Sequence, residues 1–276
     1  MCIRDSYNSV YKVDPSGNLT VYAGVPTIGD GSYGGDNGPA ANALMSSPLD
    51  IVVDSSDNLY ISDYGNSRIR EVNATTGVIT TFAGFGKLGF FNGGTTATAA
   101  LGGPQGMTFD PSGNLYVSNG FGMLVLKIDT SLNVTLFAGQ QVTSGSSAGE
   151  GIAGYAGDGG QAINATLSDP NGLASDQQGN IYIADTNNYV IRKVDTSGKI
   201  TTYAGNHTQG DSGDNGPASS AEINAYGVST DLAGDLYITG GIGCFGASNC
   251  ANIVRKVDTS GNITTYAGGG LSLIHI

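Results

Sequence analysis

One motif recurs five times along this 276-residue chain: an Asp- or Asn-bearing turn, a β-branched run and an aromatic-Ala-Gly ending. The copies are VDPSGNLTVYAG (13–24), VNATTGVITTFAG (72–84), IDTSLNVTLFAG (128–139), VDTSGKITTYAG (194–205) and VDTSGNITTYAG (257–268). Their closing glycines, Gly24, Gly84, Gly139, Gly205 and Gly268, lie 55 to 66 residues apart. A second signature precedes each complete copy: NLYISDYGNSRIREV (58–72), NLYVSNGFGMLVLKI (114–128), NIYIADTNNYVIRKV (180–194), and DLYITGG (235–241) followed by NIVRKV (252–257). A fixed period of this kind means like units in tandem, each covering the apolar face of its neighbour.

Each unit reads as four short strands. In the third complete copy they are expected at about 172–175, 181–184, 190–194 and 200–203. Asp176 to Asn180, an Asp-x-x-Gly-Asn turn, separates the first two; the Asp side chain caps the turn and the Gly takes positive φ. Period-2 alternation in the middle strands fits half-buried sheet. Four-stranded antiparallel units in tandem are propeller blades, because radial repetition leaves only short, protected edges.

Pro-x-Gly, then Asp-x-x-Gly-Asn-(Leu/Ile)-Tyr-(Ile/Val)-Ala-Asp, then Asn-x-x-Ile-Arg-Lys-Val-Asp, resembles the NHL repeat. The Gly-Asp-x-Gly-Pro-Ala segments between copies resemble the variant found in secreted bacterial NHL-repeat proteins. The resemblance covers about residues 10–268 and implies an all-β propeller of four-stranded antiparallel blades. Four full blades (48–84, 104–139, 170–205, 226–268) and one half blade (10–24) are expected within a propeller region at 7–270, cut from a six-bladed ring. Residues 1–6 and 271–276 match nothing in the repeat. They read as a non-native leader and tail, so that any signal peptide is lost by truncation.

Composition removes several functions. The net charge is −12 and no block of Lys or Arg occurs, which disfavours phosphate backbones. The pairs Arg68/Arg70, Arg192/Lys193 and Arg255/Lys256 recur once per blade and read as solvated strand faces. No apolar run approaches the roughly 18–20 residues that span a bilayer. Neither a nucleic-acid partner nor membrane insertion is expected.

Catalytic chemistry is sparse. The two histidines are His207, in an inter-blade loop, and His275, in the tail, so a tri-histidine metal site cannot form and a Ser-His-Asp set is starved. No catalytic residue, metal or cofactor is expected. The acidic loops GGDNGPAANAL (34–44), AGDGGQAINATL (156–167) and SGDNGPASSAEI (212–223) offer calcium-type oxygens but no closing bidentate Glu. Pro39 and Pro217 at a first helical position favour short capping turns instead. Four of the six Asn-x-Thr sequons fall in the repeat's own turn-to-strand motif, so repetition explains them better than glycosylation does.

Asp63 and Asp185 end the second strand, with Asn119 and Gly240 in the equivalent slots. In related propellers this slot lies near a channel mouth. With Asn66, Arg68, Asn187 and Asn188 these residues form the first place to seek a ligand, local loop bonding being the competing reading. Asp50, Gln105, Asn171 and Tyr226 are expected to line the channel. Cys244 and Cys250, in an insertion of about eight residues, are expected to form a disulfide, which places the protein outside the cytoplasm, extracellular or periplasmic. The function favoured is a non-catalytic binding or scaffold propeller presenting rim loops to a carbohydrate, peptide or protein. The alternatives are a metal-dependent lactonase, esterase or lyase-like propeller, and a purely structural module of a larger surface protein.

Overall fold

The computed structural model describes residues 2–4, 8–26, 31–86, 89, 91, 93–145, 148–240 and 253–268. The described residues form five antiparallel sheets. The first complete blade runs from an inner strand, Pro48–Val53, through Leu59–Asp63 and Arg68–Val72 to an outer strand, Val78–Ala83. The second has the same order in Pro104–Phe109, Leu115–Asn119, Leu124–Ile128 and Asn133–Ala138, and the third in Pro170–Ser175, Ile181–Asp185, Val190–Val194 and Ile200–Ala204. The fourth comprises Gly227–Thr230, Leu236–Thr239, Val254–Val257 and Asn262–Ala267.

Three features depart from the sequence reading. The half blade has three strands, because Cys2–Arg4, within the segment read as foreign, pairs with Val10–Val13 beside Leu19–Ala23. An open sheet edge accepts any extended backbone of suitable length. Second, three blades gain a short fifth strand from the loop that enters them: Gly38–Pro39, Gly94–Thr95 and Gly216–Pro217 each pair with the outer strand. Third, Pro39 and Pro217 precede rather than begin their helical turns, the three-residue 3-10 segments Ala40–Asn42 and Ala218–Ser220. Proline's fixed φ suits helix and strand alike, and pairing with the outer strand selects the extended form.

The repeated residues explain themselves through contacts. Asp54, Asp110, Asp176 and Asp231 each accept two backbone N–H groups of their own turn, and the following Tyr60, Tyr116, Tyr182 and Tyr237 hydroxyls reach back to the same carboxylates. Each of these tyrosine rings meets the aromatic of the aromatic-Ala-Gly motif edge to face, as in Tyr60–Phe82 at 4.9 Å and Tyr182–Tyr203 at 5.0 Å. The closing glycine has φ of +86° to +102° at Gly24, Gly84, Gly139 and Gly205. A Cβ at Gly205 would lie 2.3 Å from the Tyr189 carbonyl, so only glycine fits. The apolar clusters lie between blades: one joins Tyr60 and Ile69 to Met107 and Leu126, another joins Tyr182 and Ile191 to Leu236 and Ile263. Each blade is thus completed by its neighbour.

Candidate functional site

The four inner strands stand side by side around a cavity of about 990 Å³. The Pro-x-Gly motif sets that spacing. A Cβ on Gly106 would come within 2.3 Å of the Asn171 carbonyl, and one on Gly172 within 2.7 Å of the Tyr226 carbonyl, so backbone meets backbone at each junction. The Gly172 N–H donates to the Tyr226 carbonyl at 2.8 Å, and the Ser118 hydroxyl donates to the Asn171 carbonyl at 2.6 Å.

Asp50, Gln105, Asn171 and Tyr226 all line this cavity. Their register is not uniform. Pro48, Pro104 and Pro170 face Asp63, Asn119 and Asp185, which makes Leu49 the counterpart of Gln105 and Asn171. Asp50 instead occupies the slot of Gly106 and Gly172. Its Oδ2 accepts the Met107 N–H at 2.6 Å and its Oδ1 accepts the Ile51 N–H at 2.9 Å, so a carboxylate ties the first blade to the second. Asn171, buried, donates from Nδ2 to the Thr186 hydroxyl at 2.9 Å and the Asp169 carbonyl at 3.1 Å. Gln105 lies against Gly120, and its Oε1 is buried without a hydrogen-bond partner.

The residues expected at an open rim are placed differently. Asp63 and Asp185 are fully buried. Asp185 accepts the Ser168 N–H at 2.7 Å, Asn188 Nδ2 at 2.8 Å and Arg192 Nη1 at 3.3 Å. Asp63 has the same arrangement with the Ser46 N–H, Asn66 and Arg70. Each arginine also pairs with a loop aspartate, Arg70 with Asp36 and Arg192 with Asp158 at 2.5 Å. Asp36 and Asp158 in turn accept the backbone N–H of Thr81 and Thr202 and the hydroxyls of Tyr33 and Tyr155. Asp214 and Arg255 repeat the loop half of this latch in the fourth blade.

Arg70 and Arg192, and nearly all of Arg255, are therefore buried, which corrects the reading of solvated strand faces. The loops fold back over them, and a charge leaves water only when paired. Asn66 and Asn188 belong to the same latch. Arg68 donates to the Asn66 and Phe85 carbonyls beneath the Tyr33 ring. Asn119 is buried and accepts the Gly122 N–H at 2.9 Å. Of this set Asn187 and Gly240 are exposed.

Burial sets the ionisation of the latch. It pushes Asp185 up to about 6 and raises Asp63, outweighing the Asn188 or Asn66 amide, the backbone N–H and the arginine. Burial also raises Asp36 and Asp158, but the threonine hydroxyl, the arginine and the tyrosine hydroxyl together carry both below the ordinary carboxylate value.

Two aromatic residues, neither singled out from the sequence, stand beside the start of the second blade's inner strand. Tyr64 and Phe121 stack at 5.6 Å with planes 23° apart, nested on Gly103, where a Cβ would come within 2.9 Å of Phe121 and 3.1 Å of Tyr64. Phe121 is 56% exposed. Its turn position carries Gly65 in the first blade and Asn187 in the third, so an aromatic between two glycines was the available signal.

Among the described residues no group of three His, Cys, Asp or Glu could hold a metal ion. The cavity lining offers one carboxylate, Asp50, whose two oxygens already accept backbone N–H groups; this donor set does not fit a divalent cation. His207 lies edge-on to Tyr155 at 4.1 Å. Cys244, Cys250 and His275 lie outside the described residues.

An NHL repeat profile matches residues 45–71 and a Teneurin NHL domain profile matches residues 133–217. Protein SUPPRESSOR OF QUENCHING 1 of Arabidopsis thaliana is 32% identical over 149 residues, which are 49% of this chain and 12% of that protein. Mouse (Mus musculus) Teneurin-3 is 49% identical over 51 residues, 18% of this chain and 2% of its own length. The chain thus spans a small part of these relatives. Among solved structures, a Bacteroides thetaiotaomicron protein of unknown function superposes with a TM-score of 0.61 at 20% identity, over 95% of this chain and 55% of its own. A Xanthomonas campestris gluconolactonase gives 0.55 at 15%, over 95% and 69%, and a streptogramin B lyase gives 0.50 at 14%, over 94% and 62%. At these identities the likeness is one of fold.

Proposed function

We propose that this chain, an NHL-repeat β-propeller, is a non-catalytic binding module whose ligand enters the cavity between the inner strands at the Gln105–Tyr226 end. The observation that carries the reading is the cavity itself. Its volume of about 990 Å³ suits a small ligand, and its lining combines apolar strand residues with Gln105, Asn171 and Tyr226 as a few convergent polar groups. Rim loops around the mouth would meet a carbohydrate, peptide or protein partner. An extracellular or periplasmic setting accompanies this reading, resting on the Cys244–Cys250 pair; peptide mass mapping without reduction tests it.

An enzymatic reading rests on the lyase and gluconolactonase among its fold neighbours. It would need Asp50 as base or ligand, and Asp50 is already engaged by Met107 and Ile51. The test is a ligand screen by thermal shift on the full chain, with Gln105→Ala and Asp50→Asn as variants. The binding reading expects a ligand-dependent rise in Tm that Gln105→Ala abolishes, a ligand at 100-fold over its Kd adding roughly 2.7 kcal/mol. Turnover of a lactone or ester that Asp50→Asn abolishes would replace it with the enzymatic one. A complete absence of ligands would leave the structural-module reading.

A further inference from the structure

We propose that the channel mouth holds the ring of a neutral carbohydrate, laid against the exposed Phe121 face of the Tyr64–Phe121 stack and hydrogen-bonded by the Gln105 amide. The proposal rests on the cavity mouth being the binding site and names the chemistry of its ligand.

The first observation is an exposed aromatic that its turn does not require. Phe121 sits in a turn where the equivalent residues are Gly65 and Asn187, and it remains 56% exposed. A turn of this form closes without an aromatic, and leaving that ring in water forgoes the gain of burying it. The ring is nevertheless held firmly. Gly103 beneath it lacks a Cβ, Tyr64 from the neighbouring blade backs it, and the Asn119 carbonyl oxygen fixes the turn through the Gly122 N–H.

The second observation is an acceptor awaiting a donor. Gln105 lines the cavity, touches the start of the Phe121 turn at Gly120, and keeps a buried Oε1 unpartnered. A buried amide oxygen without a donor costs free energy that a ligand hydroxyl would recover after a small side-chain rotation. Tyr226 lines the same cavity, and Asp169 lies near Tyr64; burial first, then the charges of Asp169 and Tyr226, raise the Tyr64 phenol above its ordinary value.

The chemistry selects the ligand. The cavity lining contains no Lys, Arg or His, which disfavours phosphate, sulfate or carboxylate groups. Flat aromatic faces beside amide, hydroxyl and carboxylate groups match a pyranose, which presents axial C–H groups on one face and hydroxyl donors at its edge. Aromatic residues suit such mixed contacts because one side chain supplies a large rigid apolar face at low entropic cost.

The experiment is saturation-transfer NMR on the full chain with neutral methyl pyranosides and β-linked disaccharides, alongside Phe121→Ala, Phe121→Trp and Gln105→Ala. The expected result is transfer to ring C–H protons in the wild type, affinity roughly tenfold weaker in Phe121→Ala, and retention in Phe121→Trp. All variants should keep the wild-type Tm within about five degrees, since Phe121 and Gln105 are only partly buried. If no neutral sugar receives saturation, or if Phe121→Ala leaves sugar binding unchanged, the proposal is overturned. A non-sugar ligand whose thermal shift still disappears in Gln105→Ala would overturn it while leaving the cavity reading standing.

Discussion

Arg192 Nη1 lies 3.3 Å from Asp185 Oδ2, and both side chains are wholly buried between a blade and the loop that enters it. Asp158 from that loop closes the other side of the same guanidinium at 2.5 Å. Arg70 stands between Asp63 and Asp36 in the same way. The second blade discards the whole arrangement: Leu126 replaces the arginine, Asn119 the strand aspartate and, by position in the sequence, Asn92 the loop aspartate.

The second blade loses all three charges together, whereas the fourth keeps Arg255 and Asp214 with Gly240 in the strand slot, so the arginine and its loop aspartate are the pair retained together. Asp158→Ala should destabilise the protein by about 2–4 kcal/mol, below the full figure for a broken buried pair because Asp158 is partly exposed. The triple variant Asp158→Asn, Asp185→Asn, Arg192→Leu copies the second blade. It should lose less than the summed single substitutions in urea unfolding; an additive or larger loss would show that the latch is not a unit.

The latch also sets a pH profile with opposed arms. Asp185, raised to about 6, and Asp63 bind a proton more tightly when folded, so their contribution is complete below the unfolded value of 3.8 and is lost as pH rises through the folded one. Asp36, Asp158 and Asp214 are lowered, so theirs is present above 3.8 and lost as pH falls through their folded values. Tm should therefore rise between about pH 7 and pH 5 and fall below about pH 4. Asp185→Asn should flatten the rise between pH 5 and 7 while keeping the acid fall, as followed by circular dichroism melts.

Glycine at the inner-strand junction is a packing requirement that can be separated from turn conformation. Gly172→Ala would drive a methyl to 2.7 Å from the Tyr226 carbonyl and should cost about 2 kcal/mol or more. Gly17→Ala, at positive φ but with open space around it, should cost only about 1 kcal/mol. Equal losses in chemical denaturation would remove the close-approach explanation.

What could be read from the sequence depended on locality. The Asp-x-x-Gly-Asn hairpins, the alternating strands and the blade order are written within a few residues of one another, and five copies reinforced each reading. The resemblance puts Asp63 and Asp185 at an open rim, and reading their partner arginines, seven residues away, as solvated strand faces leaves nothing to bury them. Only the loop folding back, bringing Asp36 some 34 residues from Arg70, buries them both. Asp50 lines the cavity one register slot beyond Leu49, the counterpart of Gln105 and Asn171, in a blade that lacks the Gly marking the others. Phe121 is hard to read from sequence because its stacking partner, Tyr64, comes from the neighbouring blade.

The most direct test of the binding site is an amide chemical-shift map of the full chain against its best-binding ligand. Binding at the inner-strand cavity predicts perturbations concentrated at Gly103, Gln105, Gly106, Gly120, Phe121 and Gly172. Perturbations confined to the outer loops at 34–44, 156–167 and 212–223, with the inner strands silent, would contradict it.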